Sequence, residues 1–295
     1  MTGEIFRILS MAFAFSLVGL SVYLTSRVLR VLDFTCDASL SLGGCGYAAM
    51  VLYGLSPVVA AFAAGLLGAC AGFITSSLTS NLKLKTVVSS MATFSMAQIF
   101  IFKMYSMVSF SMRGKVSSLI TEYPPIMTLF VVGGFVFILS VLFHKFINSE
   151  YGLAMKVYGD GPIVSHSLGI NSADMLKMGL MISNTLAGIA GALIVQVSRC
   201  LYPSMGLGSF IFGLGVVVLL TKTHPAIGLG KTTFVCMGLG FAYKIGVEAV
   251  ARCIGGLSSG LLSEYEHIVA AISLVVLVAL TFNDKNIKKS ILHLK

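Results

Sequence analysis

The stretch Glu150–Val197, EYGLAMKVYGDGPIVSHSLGINSADMLKMGLMISNTLAGIAGALIVQV, sets two kinds of chemistry side by side. Its second part, Ala173–Val197, is apolar for longer than the ~20 residues that a helix needs to cross a bilayer. Its first part, Glu150 to Lys177, is the one long polar interlude between hydrophobic segments. The apolar run decides the fold class, because the rest of the chain repeats it. The interlude, by contrast, is built for something other than spanning.

Of the 295 residues 57% are hydrophobic and only 11% charged, against roughly 25% charged in a soluble domain. The chain therefore reads as one membrane-embedded domain, 1–295, with no room for a soluble one. About nine segments meet the length rule or approach it: Phe6 to Ser26, Ser39 to Gly54, Ser56 to Leu78, Thr86 to Met104, Pro125 to Ile147, Ala173 to Val197, Leu207 to Leu220, Thr232 to Ile254 and His267 to Phe282. The expected fold class is thus an all-α polytopic integral membrane protein with about eight to ten spanning helices, some short or broken. The second and seventh are the short ones, and both are rich in glycine (Gly43, Gly44 and Gly46; Gly206, Gly208, Gly213 and Gly215). The opening MTGEIFRILSMAFAFSLVGL has an apolar run too long for a signal peptide and reads as the first span.

The net charge of +9 is topological and does not mark a nucleic-acid surface. With the Glu150 loop cytoplasmic, alternation puts most of the 20 basic residues on that side, as expected of basic flanks. The N-terminus is then expected outside and the C-terminus in the cytoplasm. Small residues every fourth position predict close helix packing in two places, Gly179, Ser183, Ala187 and Gly191, and again Ala64, Gly68 and Gly72. Six cysteines form no Cys-x-x-Cys pair, which argues against a zinc or redox motif. Cys200 and Cys253 fall near the outer face, where a disulfide between them is one option.

Several motifs invite chemistry. GLGKTT at Gly228 to Thr233 imitates the end of a phosphate-binding loop, but the first glycine of that pattern would fall on Pro225, and no strand precedes it. The five histidines lack metal-ligand spacing, and the carboxylates are scattered, so a membrane enzyme is disfavoured. Lys244, Glu248 and Arg252 share one face at i, i+4 and i+8, either as an ion-paired stripe near the outer interface or as part of a substrate path. Gln98, Asn184 and Gln196 are uncharged polar groups in apolar surroundings, suited to bonds between helices or to contact with a solute. In DFTCDASLSLGG, Asp33 to Gly44, Asp37 or Ser39 suits an N-cap of the glycine-rich helix, or else a helix start beside a translocation path.

Four stretches then carry a family resemblance: Asp33, Thr35, Asp37 and Ser39; GLAMKVYGDGPIVSHSLGIN (Gly152 to Asn171); SNTLAGIAGAL (Ser183 to Leu193); and SMGLGSFIFGLGVVVL (Ser204 to Leu219), with YKIGVEAVA (Tyr243 to Ala251) adding to them. Together the chain resembles the permease subunits of bacterial ATP-binding-cassette importers of the branched-chain amino acid and ribose type. The likeness is strongest to a branch that resembles systems for amino acids, aromatic ones included. The family often has Gly-Glu where this chain has Thr221 and Lys222, and a second basic residue where it has Ile245.

The resemblance implies a cytoplasmic coupling loop at 148–172, with Gly152, Ala154, Gly159, Asp160, Gly169, Ile170 and Asn171 as its family positions. It also implies a translocation path for which Asp37, Ser39, Gln98, Asn184 and Glu248 are candidates. The implied partners are a cytoplasmic ATP-binding subunit, a periplasmic or lipoprotein solute-binding protein, a second permease subunit (homo- or heterodimer) and membrane lipid, with no nucleic acid. ATP and Mg would be bound by the partner subunit and no cofactor by this chain, a multi-pass protein of the bacterial inner membrane. Physically, Asp160, Gly161 and Pro162 make a turn, Ile163 to Leu168 a short amphipathic piece, and Asn171 or Ser172 a cap for the next helix. A disruptive Gly159→Trp is expected to break the ATPase contact and leave the fold intact. The alternative is a stand-alone secondary transporter using a buried ionisable residue, for which Glu248 is the candidate.

Overall fold

A computed structural model describes residues 2–105, 110–111, 124–202, 205–223, 229–255, 268–269, 271–273 and 275. Among the described residues the first eight apolar runs form helices. They are α1 (Thr2–Tyr23, continued by a π-helical turn Leu24–Val28), α2 (Thr35–Leu52), α3 (Pro57–Asn81), α4 (Thr86–Tyr105) and α5 (Pro125–Ile147). The polar interlude forms α6 (Glu150–Asp160) and α7 (Pro162–Ser167), after which come α8 (Ser172–Ser198), α9 (Ser209–Thr223) and α10 (Leu229–Gly255). The last expected span, His267 to Phe282, lies mostly outside the described residues. Two short strands, β1 (Phe110–Ser111) and β2 (Cys200–Leu201), pair antiparallel.

Among the described residues six helices are long and apolar enough to cross a membrane. Of the two expected short segments, the second lies in α2, which has 18 residues, and the seventh is short in fact. α9, with 15 residues, reaches only about 22 Å at 1.5 Å per residue, less than the ~30 Å of a hydrocarbon core. The GLGKTT decoy resolves likewise, since Leu229, Gly230 and Lys231 open the helix α10.

Beside a hydrophobic core the bundle buries many small hydroxyl side chains, and it exposes large apolar ones. Ser10, Ser16, Ser21, Ser39, Ser41, Thr35 and Thr75 are buried, while Phe62, Leu66, Ile99, Phe130, Ile138 and Leu142 are exposed. That arrangement is what a lipid-facing protein requires, because hydroxyls can be satisfied only inside and lipid accepts the large apolar side chains.

The most deeply enclosed of the spans is α8, with two working faces. Along one, Gly179 meets Leu29, the Ser183 and Ser21 hydroxyls lie 2.9 Å apart, and Gly191 lies under the Leu40 carbonyl of α2. Along the other, Gly68 and Gly72 of α3 bring that helix so near that a Cβ on either would overlap the Asn184 or Leu180 carbonyl oxygen. Both small-residue ridges foreseen from sequence are therefore contact surfaces. Gly188 joins the second face, under the Ala64 carbonyl, and also takes the approach of Gly43.

The end of α1 has a local cause for its irregularity. Thr25 and Ser26 both donate their hydroxyls to the Val22 carbonyl, a competition that bends helices. The backbone widens, with Leu29 N–H donating to Leu24 O and Val31 N–H to Thr25 O. Arg30 then takes a φ of 55°, a left-handed conformation uncommon outside glycine, and the chain turns into α2.

Candidate functional site

The interlude folds into a hooked pair of helices by residue-level rules. Gly161 ends α6, and Pro162 opens α7, where its fixed φ suits a first helical position and its missing N–H costs nothing. Gly169, at φ 72°, makes the left-handed turn that closes α7. Asn171 then caps α8 as expected. Its Oδ1 accepts from Ala173 N–H at 3.1 Å, and its Nδ2 donates to Asp174 at 2.7 Å.

Packing joins α6 to the bundle. Met155 is fully buried, and Gly152 is buried where a Cβ would overlap the Ile147 carbonyl at the end of α5. Gly159 lies against the π-helical turn, where a Cβ would overlap the Val28 carbonyl. Beside it Arg30 Nη2 donates to the Asp160 carboxylate at 2.6 Å, with both side chains about half exposed. Tyr151 and Leu153 of α6 are exposed, as are Val164 of α7 and Leu168 at its exit.

The expected coupling residues thus divide. Gly152, Gly159 and Asp160 attach the element to the bundle, and Gly169 and Asn171 shape its backbone. Ala154 and Ile170 are half-buried. One expectation fails: Gly159→Trp cannot leave the fold intact, because position 159 faces the π-helical turn. The exposed Tyr151 and Leu153 were missed, although large apolar side chains in a polar interlude were a signal that could have found them; the exposed Val164 and Leu168 fall within the amphipathic piece expected at Ile163 to Leu168.

A second constellation lies inside the bundle. Asp33, fully buried, accepts from Thr35 N–H at 2.9 Å and from Asn184 Nδ2 at 2.8 Å. Asn184 Oδ1 accepts from Ser39 Oγ at 2.7 Å. Asp37 accepts from Ser209 Oγ and Phe210 N–H, both at 2.6 Å, and from Gly208 N–H at 3.1 Å. Ser41 Oγ accepts from Gly206 N–H at 3.0 Å. Thr35, Thr75 and Thr93 link α2, α3 and α4 through hydroxyls at 2.7 and 2.9 Å.

This corrects the capping reading. Asp33 serves the start of α2, and Ser39 turns to α8. Asp37 leaves its own helix and gathers the open N–H groups at the start of α9, which a helix N-terminus cannot satisfy itself. A carboxylate also suits the positive end of that helix.

Of the five path candidates, the structure joins Ser39 and Asn184 by a hydrogen bond, while Asp37, on the same helix as Ser39, is bound to the start of α9. Gln98 lies apart, buried in the face of α4 that also carries Ala97 and Ile101. Among the described residues neither of its amide atoms has a hydrogen-bond partner. Glu248 is on α10, buried, with Oε2 3.9 Å from Lys244 Nζ, and Lys244 Nζ lies 4.3 Å from the centroid of the Phe15 ring. The side chain of Arg252 lies outside the described residues. Cys200 and Cys253 are both free thiols, so the optional disulfide is not formed.

A polytopic helical bundle with polar groups bonded inside it, lipid-type surfaces outside, and a hooked helical pair set between spans defines the class of transport permeases. Residues 4–282 match the family described as branched-chain amino acid transport system / permease component, and the chain belongs to that family. It is 26% identical over 292 residues, covering 97% of this chain and 94% of the relative, to a tyrosine transport system permease protein of Clostridioides difficile (strain R20291). An uncharacterised protein of Rickettsia prowazekii (strain Madrid E) is 24% identical over 211 residues, covering 68% of this chain and 70% of that protein. The chain is accordingly a multi-pass membrane protein and the permease component of a transport system.

Proposed function

We propose that this permease is the membrane subunit of an ATP-driven importer, working as a dimer with a cytoplasmic ATPase pair and an extracytoplasmic solute-binding protein. Its solute is an amino acid, a reading supported by the name of the Clostridioides relative. In this arrangement the N-terminus is outside, the C-terminus is cytoplasmic, and 148–172 is the coupling loop.

One observation carries the reading. α6 and α7 leave the large apolar side chains of Tyr151, Leu153, Val164 and Leu168 exposed, while Gly159 and the Arg30–Asp160 pair join α6 to the α1–α2 corner. A partner that grips these side chains and moves would pull directly on that corner. Within three to nine residues of Arg30 in the chain lie Asp33, Asp37 and Ser39, which tie α2 to α8 and α9. The coupling motion would therefore reach the interior through hydrogen bonds, with no nucleotide site needed in this chain.

The stand-alone transporter reading needs a buried ionisable residue as its proton or ion site, for which Glu248 is the candidate. Glu248 has Lys244 beside it, as its sequence spacing implies, and a carboxylate so neighboured is a poorer site for a transported cation. The test is purification of the full chain from membranes together with the ATPase subunit. Leu153→Glu combined with Leu168→Glu should abolish ATPase association without lowering the melting temperature. Ion-gradient-driven uptake by the chain alone would overturn the proposal.

A further inference from the structure

We propose that the π-helical turn Leu24–Val28 is a register switch, exchanging with ordinary α turns as the α6–α7 pair moves. This rests on the coupling role proposed above and names the part of the chain that receives the movement. Such turns are rare and frequently sit at functional sites.

The chain around the turn is pinned at both ends to one level of α8. Before the turn, Ser183 Oγ donates to the Ser21 carbonyl at 3.0 Å. After it, Asp33 accepts from Nδ2 of the adjacent Asn184 at 2.8 Å. Between these pins lie the contacts with α6, where Gly159 packs on the Val28 carbonyl and Arg30 pairs with Asp160. A displacement of α6 therefore falls on residues 22–32, whose two ends are held, and has to be taken up within them.

The backbone bonds supply the means. Leu29 N–H donates to the Leu24 carbonyl at 3.0 Å, one residue further back than in an α-helix, and Val31 N–H donates to the Thr25 carbonyl at 2.9 Å. In α register Leu29 N–H takes the Thr25 carbonyl instead, which displaces Val31. Leu29 already has helical backbone angles, φ −81° and ψ −20°, so it can continue the helix as it stands. One step of register moves the following chain by about 1.5 Å and turns it by about 100°. Val31 lies two residues before Asp33, so the step bears on the bonds that Asp33 and Asp37 make to α8 and α9. Thr25 and Ser26, whose hydroxyls both donate to the Val22 carbonyl, hold the turn in its wide form, because such bonds compete with the backbone ladder.

The test uses the full chain in vesicles with its ATPase and binding protein, and follows ATP hydrolysis and uptake of a mixture of labelled L-amino acids. Deleting Ser26 leaves Leu29 N–H on the Leu24 carbonyl at ordinary α spacing, so the helix closes with no residue to exchange. This protein should melt near the wild type and retain ATP hydrolysis. Its uptake per ATP should fall about tenfold, within the coupling that such elements carry. Addition of ATP should speed hydrogen exchange at Leu29 and Val31 in the wild-type complex and leave it unchanged in the deletion. Wild-type uptake per ATP in the deletion, or no response of Leu29 and Val31 to ATP in the wild type, overturns the switch. Should the deletion not fold, Thr25→Val with Ser26→Ala decides by the same ratio: a severalfold fall supports the switch and an unchanged ratio refutes it. Ser16→Ala removes a hydroxyl bond to the Phe13 carbonyl elsewhere in α1 and should keep the wild-type ratio; an equal fall there would make the effect a general loss of helix bonding and overturn the inference. A wild-type complex with no ATP-driven uptake overturns the import function itself.

Discussion

Replacing Asp37 by alanine should loosen α9 more than any other single deletion of a polar side chain in the α2 segment. Three donors converge on this carboxylate, Ser209 Oγ and Phe210 N–H at 2.6 Å and Gly208 N–H at 3.1 Å. Alanine leaves the Ser209 hydroxyl and the Phe210 N–H buried without that acceptor, and the Gly208 N–H partly buried without it. A buried donor deprived of its partner costs about 1–3 kcal/mol, and bonds to a charged acceptor lie at the upper end. The hydroxyl of Ser209 can rotate to a nearby carbonyl, so the two backbone N–H groups dominate, for a loss of about 3–5 kcal/mol. Such a loss lowers the melting temperature by roughly 10 °C in a chain of this size. Thermal unfolding of the purified protein in detergent measures the total. Hydrogen exchange at residues 208–212 localises it, because the start of α9 should lose protection before the α3–α8 contact does. Ser39→Ala, which removes one bond to Asn184, should cost only about 1 kcal/mol and leave exchange at 208–212 unchanged. If Asp37→Ala melts within a degree or two of the wild type, or exchange at 208–212 does not rise, the carboxylate does not hold the helix and the reasoning fails.

Three further outcomes follow from the packing. Gly68→Leu should prevent assembly of the bundle, because the Asn184 carbonyl already occupies the space that its Cβ would need; a monodisperse peak in size-exclusion chromatography at wild-type yield would contradict this. Gly159→Trp should lower the melting temperature as well as ATPase association, since it forces α6 off the π-helical turn, whereas the outward pair Leu153→Glu and Leu168→Glu should affect association alone. Arg30→Ala should change stability by less than about 1 kcal/mol, as befits a half-exposed ion pair, yet reduce uptake per ATP hydrolysed; unchanged coupling would remove the Arg30–Asp160 contact from the proposed route.

The amino-acid sequence by itself determined the helices and much of how they approach. Pro125–Ile147 was legible to its end residues, because hydrophobic length and a flanking proline act locally. The Asn171 cap was legible for the same reason, as its partners lie two and three residues away. The ridges Gly68–Gly72 and Gly179–Gly191 could be read as surfaces of close approach, since every fourth residue of a helix shares a face. Their partners could not be read. Nothing local tells Asp37 to pass over its own helix for Ser209, 172 residues away, or Asn184 to reach Asp33 across 151. Glycine, too, is silent about direction: Gly159, expected only as a position of the coupling loop, is a close contact with Val28. Helical periodicity is a property of a few successive residues, so sequence could show which groups had to be satisfied inside the membrane. Only the tertiary arrangement, which brings remote segments within hydrogen-bonding distance, decided which group satisfies which.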